Sequence, residues 1–189
     1  VIQRDDARVG FIALDSIGET PSATRNRAGT NRLNMPPRTG PLNRTQLRRI
    51  TSDIRALNKR VDVVVVLTHW GTQYTHRPEP SQRIAARAFA NAGADLVIGG
   101  HPHWIQGLEM AGSAVVVHSL GNFVFDMDFQ TKTREGVFLE IVLWGDKVKA
   151  VEPVPYVIDN SFTPGLSNEN RVRGILNDLW GSSRGPFTQ

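Results

Sequence analysis

The sequence predicts an α/β fold built on a mixed β-sheet, and three patterns predict it. Residues 61–68, Val-Asp-Val-Val-Val-Val-Leu-Thr, form a β-branched run of the kind found in strands buried on both faces. Ile84, Ala85, Ala88, Phe89 and Ala92 then recur at helical spacing, and a second apolar run follows at 95–99. Strand, helix and strand in that order make a βαβ crossover, whose two strands lie parallel in one sheet. Beyond residue 103 the pattern turns to C-terminal hairpins. Residues 105–110 and 114–118 flank Ala111-Gly112-Ser113, and residues 137–144 and 148–154 flank Gly145-Asp146-Lys147.

The remaining elements follow in chain order. Residues 9–14 have strand length and composition. Residues 16–43 hold Pro21, Pro36, Pro37 and Pro41 among Gly and Asn, and read as a long irregular loop. Leu47, Ile50, Ile54 and Leu57 then keep helical spacing, with Asn43 or Thr45 as the N-cap. The second helix begins near Pro80 or Ser81 and stops at Gly93. From Asn160 the chain reads as loop, with a short helix over 172–180. One domain over 1–160 followed by a tail over 161–189 is the expected organisation.

Composition narrows the function classes. A hydrophobic fraction of 40% with 21% charged residues falls in the range of globular domains. The absence of cysteine excludes disulfides, thiolate zinc sites and cysteine nucleophiles. No apolar window reaches the length of a membrane span, and there is no signal peptide. The chain opens on Val1-Ile2-Gln3, which reads as the interior of a longer protein. Its densest basic stretch, residues 25–49, contains no aromatic residue, which argues against nucleic acid as a partner. The arginines of the loop (Arg25, Arg27, Arg32, Arg38) either grip an anionic substrate or simply solvate the loop.

The histidines carry the chemistry. All five (His69, His76, His101, His103, His118) lie within one stretch of about fifty residues. His69 follows the first strand of the crossover and His101 the second, and open α/β sheets bind ligands at those carboxyl ends. The crossover therefore brings the two imidazoles to one sheet edge. Pro102 is expected to hold His101 extended, so that His101 and His103 point to the same side. Three converging neutral imidazoles suit zinc, manganese or iron. His118 reads equally as a neighbour of the site or as core packing, and His76 reads as a solvated loop residue.

Five segments together resemble a known family: Leu67-Thr68-His69-Trp70-Gly71-Thr72-Gln73-Tyr74, then Pro80-Ser81-Gln82, then residues 92–103 ending Gly99-Gly100-His101-Pro102-His103, then Gln106-Gly107, then Ser119-Leu120-Gly121-Asn122-Phe123-Val124-Phe125-Asp126. They are similar to the CapA-type poly-γ-glutamate capsule biosynthesis proteins, whose fold is like that of calcineurin-type metallophosphoesterases. The resemblance runs from about Val9 to Val157. It implies that His69 and His101 share one divalent metal ion (manganese, iron or zinc) and that His103 serves a second. It makes His118 and Asn122 the candidate catalytic groups, Asn122 doubling as a possible left-handed turn residue.

Two departures stand out. Gln73 replaces a glutamate common in the family. The Gly-Asp and Asn-His motifs that supply the carboxylate ligands are expected ahead of Val1, and neither Gly145-Asp146 nor Gly121-Asn122 replaces them. The chain thus reads as the C-terminal part of a two-metal hydrolase domain, holding one metal or none and inactive alone. The implied substrate is an anionic polymer or phosphoester, and the implied partners are other capsule-synthesis membrane proteins. The implied location is the outer face of a bacterial membrane. A non-catalytic assembly or polyanion-binding subunit is the alternative.

Overall fold

The structure is a computed structural model that describes residues 1–4 and 7–188. Its centre is a six-stranded sheet. The strands are β1 (Ile2–Arg4), β2 (Ala7–Asp15), β3 (Val63–His69), β4 (Leu96–Gly100), β5 (Ile105–Ala111) and β6 (Ala114–Leu120), in the order β1-β2-β3-β4-β6-β5. The inner four, β2, β3, β4 and β6, run parallel, and β1 and β5 close the edges antiparallel. This is the mixed α/β sheet that the sequence predicts. A second sheet, β7 (Glu135–Trp144), β8 (Lys147–Ile158) and β9 (Pro164–Leu166), is wholly antiparallel.

Two helices cover one face of the central sheet. In α1 (Arg44–Asn58) the Asn43 side chain accepts from Gln46 N at 3.0 Å, which selects Asn43 over Thr45 as the cap. In α2 (Pro80–Ala90) Pro80 occupies the first turn, where its missing N–H costs nothing. Ile50, Ile54, Ala85 and Phe89 from these helices meet Val64, Val66 and Val97 of the strands, all fully buried. Burying a side chain such as Phe89 contributes roughly 2–3 kcal/mol. The long loop joins this core through Leu33 and Met35, neither exposed, and short bridges hold it (Asp15 to Arg32, Ser22 to Thr30).

The opposite face is only partly covered. Val63, Val65 and Leu96 pack under Ile141, Leu143, Val148 and Val151 of the second sheet. Valines on both faces of β3 explain the unbroken β-branched run. Phe11, at the middle of β2, and Leu67, near the carboxyl end of β3, stay 43% and 38% exposed.

The chain beyond Asn160 is more ordered than the loop reading expects. Helix α3 (Glu169–Gly181) starts three residues earlier than anticipated and buries Ile175 and Leu179 against Ile105, Leu108 and Val117. Among the described residues no helix is long and apolar enough to cross a membrane.

Candidate metal centre at the carboxyl edge of the sheet

Three parallel strands end in register at this edge. Asp15 of β2 stands opposite His69 of β3, which stands opposite Gly100 of β4. Backbone bonds continue the register past the strand ends: Ser16 N donates to the His69 carbonyl (2.8 Å) and Trp70 N to the Gly100 carbonyl (3.1 Å). The next residue is His101, and its Nδ1 lies 3.2 Å from His69 Nε2. The crossover does bring these two imidazoles together.

The His101-Pro102-His103 turn differs from the extended segment expected. His101 has φ +95° and His103 φ +60°. Pro102 keeps the residue before it out of the right-handed helical region, and His101 takes a left-handed φ in place of the extended one that a following proline favours. The chain must also reverse between β4 and β5. Of the four non-glycine residues with such φ among those described, Tyr74, His101 and His103 surround this site. Each conformation costs on the order of 1–3 kcal/mol and concentrates where function demands it. The His101 and His103 rings still come within 5.7 Å of each other.

Asn122 sets the tautomer of His103. Its Nδ2 donates to the Thr133 carbonyl (2.8 Å), so its Oδ1 is the acceptor that faces His103 Nδ1, also at 2.8 Å. Nδ1 of His103 is therefore the donor in this contact, which in a neutral ring fixes the tautomer with the lone pair on Nε2. An imidazole whose outer nitrogen is anchored in this way has the arrangement typical of a metal-ligating histidine. Gly121 takes the left-handed conformation (φ +79°), which leaves Asn122 as a side chain aimed at the site rather than a turn residue. Tyr74 stacks on His103 at 5.9 Å, and its N–H donates to the Pro102 carbonyl (2.8 Å). Tyr74 was not foreseen, because nothing in its spacing marks a contact twenty-nine residues away.

Burial keeps the pair neutral. It pushes His101 down to about 4, with His69 and His103 adding to the effect. Burial also lowers His69, while Asp15 opposes it. Both rings thus keep lone pairs for a cation near neutral pH. Two nitrogens about 2.0–2.1 Å from one tetrahedral ion stand roughly 3.3 Å apart, close to the spacing seen here. The pair fits a shared divalent ion. Among the described residues, however, no group of three or more His, Asp or Glu is arranged to hold one.

The other histidines lie elsewhere. His118 is 1% exposed and stacks on Trp70; its Nε2 donates to Glu109 (3.1 Å), and its Nδ1 has no partner. Arg83 pairs with the same carboxylate. Burial lowers His118 despite the pull of Glu109. For His76 the solvated reading is corrected. Its Nδ1 donates to the Ile105 carbonyl (2.6 Å), its ring meets Trp104, and the half-buried side chain bridges the loop and β5.

The loop arginines divide. Arg32 pairs with Asp15 and Arg38 with Glu19, each at 3.2 Å, while Arg25 and Arg27 have no carboxylate within 4 Å among the described residues. Asp15 also accepts from Ile17 N (3.0 Å) and Gly18 N (3.2 Å). The signal for Asp15 was available in the sequence, since it ends an apolar run as His69 does.

Comparison with known proteins bears on this geometry. A family model described as bacterial capsule synthesis protein PGA_cap matches residues 1–127, which end before β7. The PGA biosynthesis protein CapA of Bacillus subtilis (strain 168) is 42% identical over 127 residues, covering 67% of this chain and 33% of that protein. The capsule biosynthesis protein CapA of Bacillus anthracis is 38% identical over 114 residues, covering 59% of this chain and 28% of that protein. The chain spans about a third of the length of these relatives.

Proposed function

The chain belongs to the bacterial capsule synthesis protein family PGA_cap, and from that premise we propose that it is part of a metal-dependent hydrolase acting on an anionic capsule polymer or a phosphoester. The observation that carries this reading is the 3.2 Å approach of His69 Nε2 and His101 Nδ1 across two parallel strand ends. His69 and His101 are two ligands of one divalent ion, and the His103 ring, anchored by Asn122, stands next to that of His101. When bound, the ion polarises the scissile group and makes a hydroxide available near neutral pH. The remaining ligands, carboxylates above all, come from the rest of the full-length protein, which acts at the outer face of the membrane with other capsule-synthesis proteins.

The His118 ring stacks on Trp70, the residue after His69, at 5.8 Å, so it serves as a positioning residue behind His69. Asn122 is a positioning residue too, holding the proton on His103 Nδ1. The direct test is hydrolysis of a chromogenic phosphodiester by the full-length protein, with chelation and metal addition. Activity that chelation abolishes and manganese restores, and that His101→Ala lowers at least tenfold, is expected. Turnover that survives both treatments overturns the reading.

The second reading, a non-catalytic assembly or polymer-handling subunit, draws on the lack of a complete ligand group among the described residues. A full-length protein that binds metal yet hydrolyses no phosphoester or polymer would favour it.

A further inference from the structure

The net positive charge of this chain arises in one segment. Residues 19–49 contain seven arginines, one glutamate and no lysine or aspartate, a net of six positive charges. The whole chain carries +4, so everything outside this segment sums to two negative charges. A bias of that size concentrates anions at one face and steers them toward it.

The fold turns this charge into a cleft. The Ser22–Thr30 and Asp15–Arg32 bridges fold the loop back against α1, leaving a cavity of about 510 Å³ walled by Thr24, Arg25, Thr30, Arg32 and Arg49, with Asp53 as its single carboxylate. Arg49 is fixed in place, donating to Asn31 Oδ1 (2.7 Å) and to the Arg32 carbonyl (3.3 Å), and is only 3.9 Å from Asp53. Arg25 has no carboxylate within 4 Å among the described residues.

Arg32 supplies an independent sign of a missing ligand. Its side chain is nine-tenths buried, and its Nη2 meets Asp15 and the Thr20 carbonyl, yet its Nε is buried with no partner. The charge itself is balanced by Asp15, but a buried N–H left without an acceptor is rare, and an acceptor oxygen from outside the chain would satisfy it. Thr30 also borders a second cavity of about 250 Å³ that holds His69 and two carboxylates, Asp15 and Glu19, paired with Arg32 and Arg38. The arginine cleft therefore adjoins the histidine edge through one shared residue. No Phe, Tyr or Trp side chain lines either cavity, so neither offers a base the usual stacking platform.

We propose that the cleft between the 22–32 loop and α1 is a binding subsite for an acidic, carboxylate-bearing chain, which Arg25, Arg32 and Arg49 hold while it leads past Thr30 toward His69. This rests on the reading that the protein acts on an anionic polymer, but it concerns different residues from the metal pair. Planar guanidinium groups grip successive carboxylates in two-pronged fashion, and no base readout takes part.

The test is fluorescence anisotropy of the full-length protein with a labelled glutamate oligomer. Binding that weakens steeply with salt is expected, as is a loss of roughly tenfold or more in R25E/R49E. Both positions are exposed, and R25Q, a milder change, should weaken binding in the same direction. Unchanged affinity in R25E/R49E overturns the proposal, as does equal or tighter binding of polyphosphate or of a thymidine oligonucleotide of matched length. His101→Ala separates the two readings: metal lost with oligomer binding intact leaves the subsite standing. Oligomer binding lost in R25E/R49E with metal content intact shows that the two sites are independent.

Discussion

At Gly99 a Cβ would stand 2.0 Å from the His118 carbonyl oxygen and 2.5 Å from Trp70 Nε1. The same carbonyl accepts from that indole, so Gly99 lets β4, β6 and the residue after His69 close on one point. Gly99→Ala is expected to cost about 3 kcal/mol or more in urea unfolding, because backbone rather than a flexible side chain must move. A loss below about 1 kcal/mol contradicts this account of the contact. Asn122 and His103 are expected to behave as a unit. In a double-mutant cycle with alanine at each, the coupling should reach about 1 kcal/mol or more, and additive effects would remove Asn122 as the anchor of His103. Buried His118 makes stability depend on pH. Its folded pKa is depressed by burial, so below its ordinary value of 6.5 the unfolded chain takes up a proton that the folded chain refuses. Stability is therefore complete above that value and falls as pH drops through it. Glu109 is shifted down as well, since burial is outweighed by the His118 hydrogen bond and by Arg83, so its contribution is lost only in stronger acid. Urea midpoints should be lower at about pH 5 than at about pH 7.5, and an unchanged or higher midpoint at the lower pH contradicts the neutral buried imidazole. At this scale, the meeting of His69 and His101 was legible because each ends a strand of one crossover. The left-handed turn and the Asn122 anchor were not. Backbone sign leaves no trace in residue type here, and Asn122 is brought in by a hairpin nineteen residues later.

The elements that position the site divide in the same way. The β3–α2–β4 crossover could be read from a valine run, a helical stripe and a terminal glycine, since each reports burial directly. Strands β1 and β9, of three residues each, carry too little pattern to be seen, and each forms only by pairing with a neighbour. Helix α1 matters because it carries Arg49 to the loop, and its first turn depends on Asn43. Asn43→Ala should cost about 1 kcal/mol of stability, and Asn43→Ser should restore most of it. An Asn43→Ala protein as stable as the parent would mean that packing alone holds this end. The tail was underestimated because Ile175 and Leu179 lie in a stretch of mixed polarity, and their burial depends on β5 rather than on local sequence.

For the whole molecule, two asymmetries frame the site. One sheet face is sealed by helices, whereas the other leaves Phe11 partly exposed and, two residues before His69, Leu67. The net excess of positive charge arises in the loop and the start of α1, next to the same edge. The chain thus offers a histidine pair and an arginine cleft that converge, within a third of the length of its relatives. The central claim is that His69 and His101 share one metal ion, and metal content of the purified full-length protein tests it most directly. His69→Ala and His101→Ala should each lose the same metal equivalent, while Trp144→Ser, on the far end of β7 and 77% exposed, should retain it. Metal content equal in all four proteins would contradict the claim.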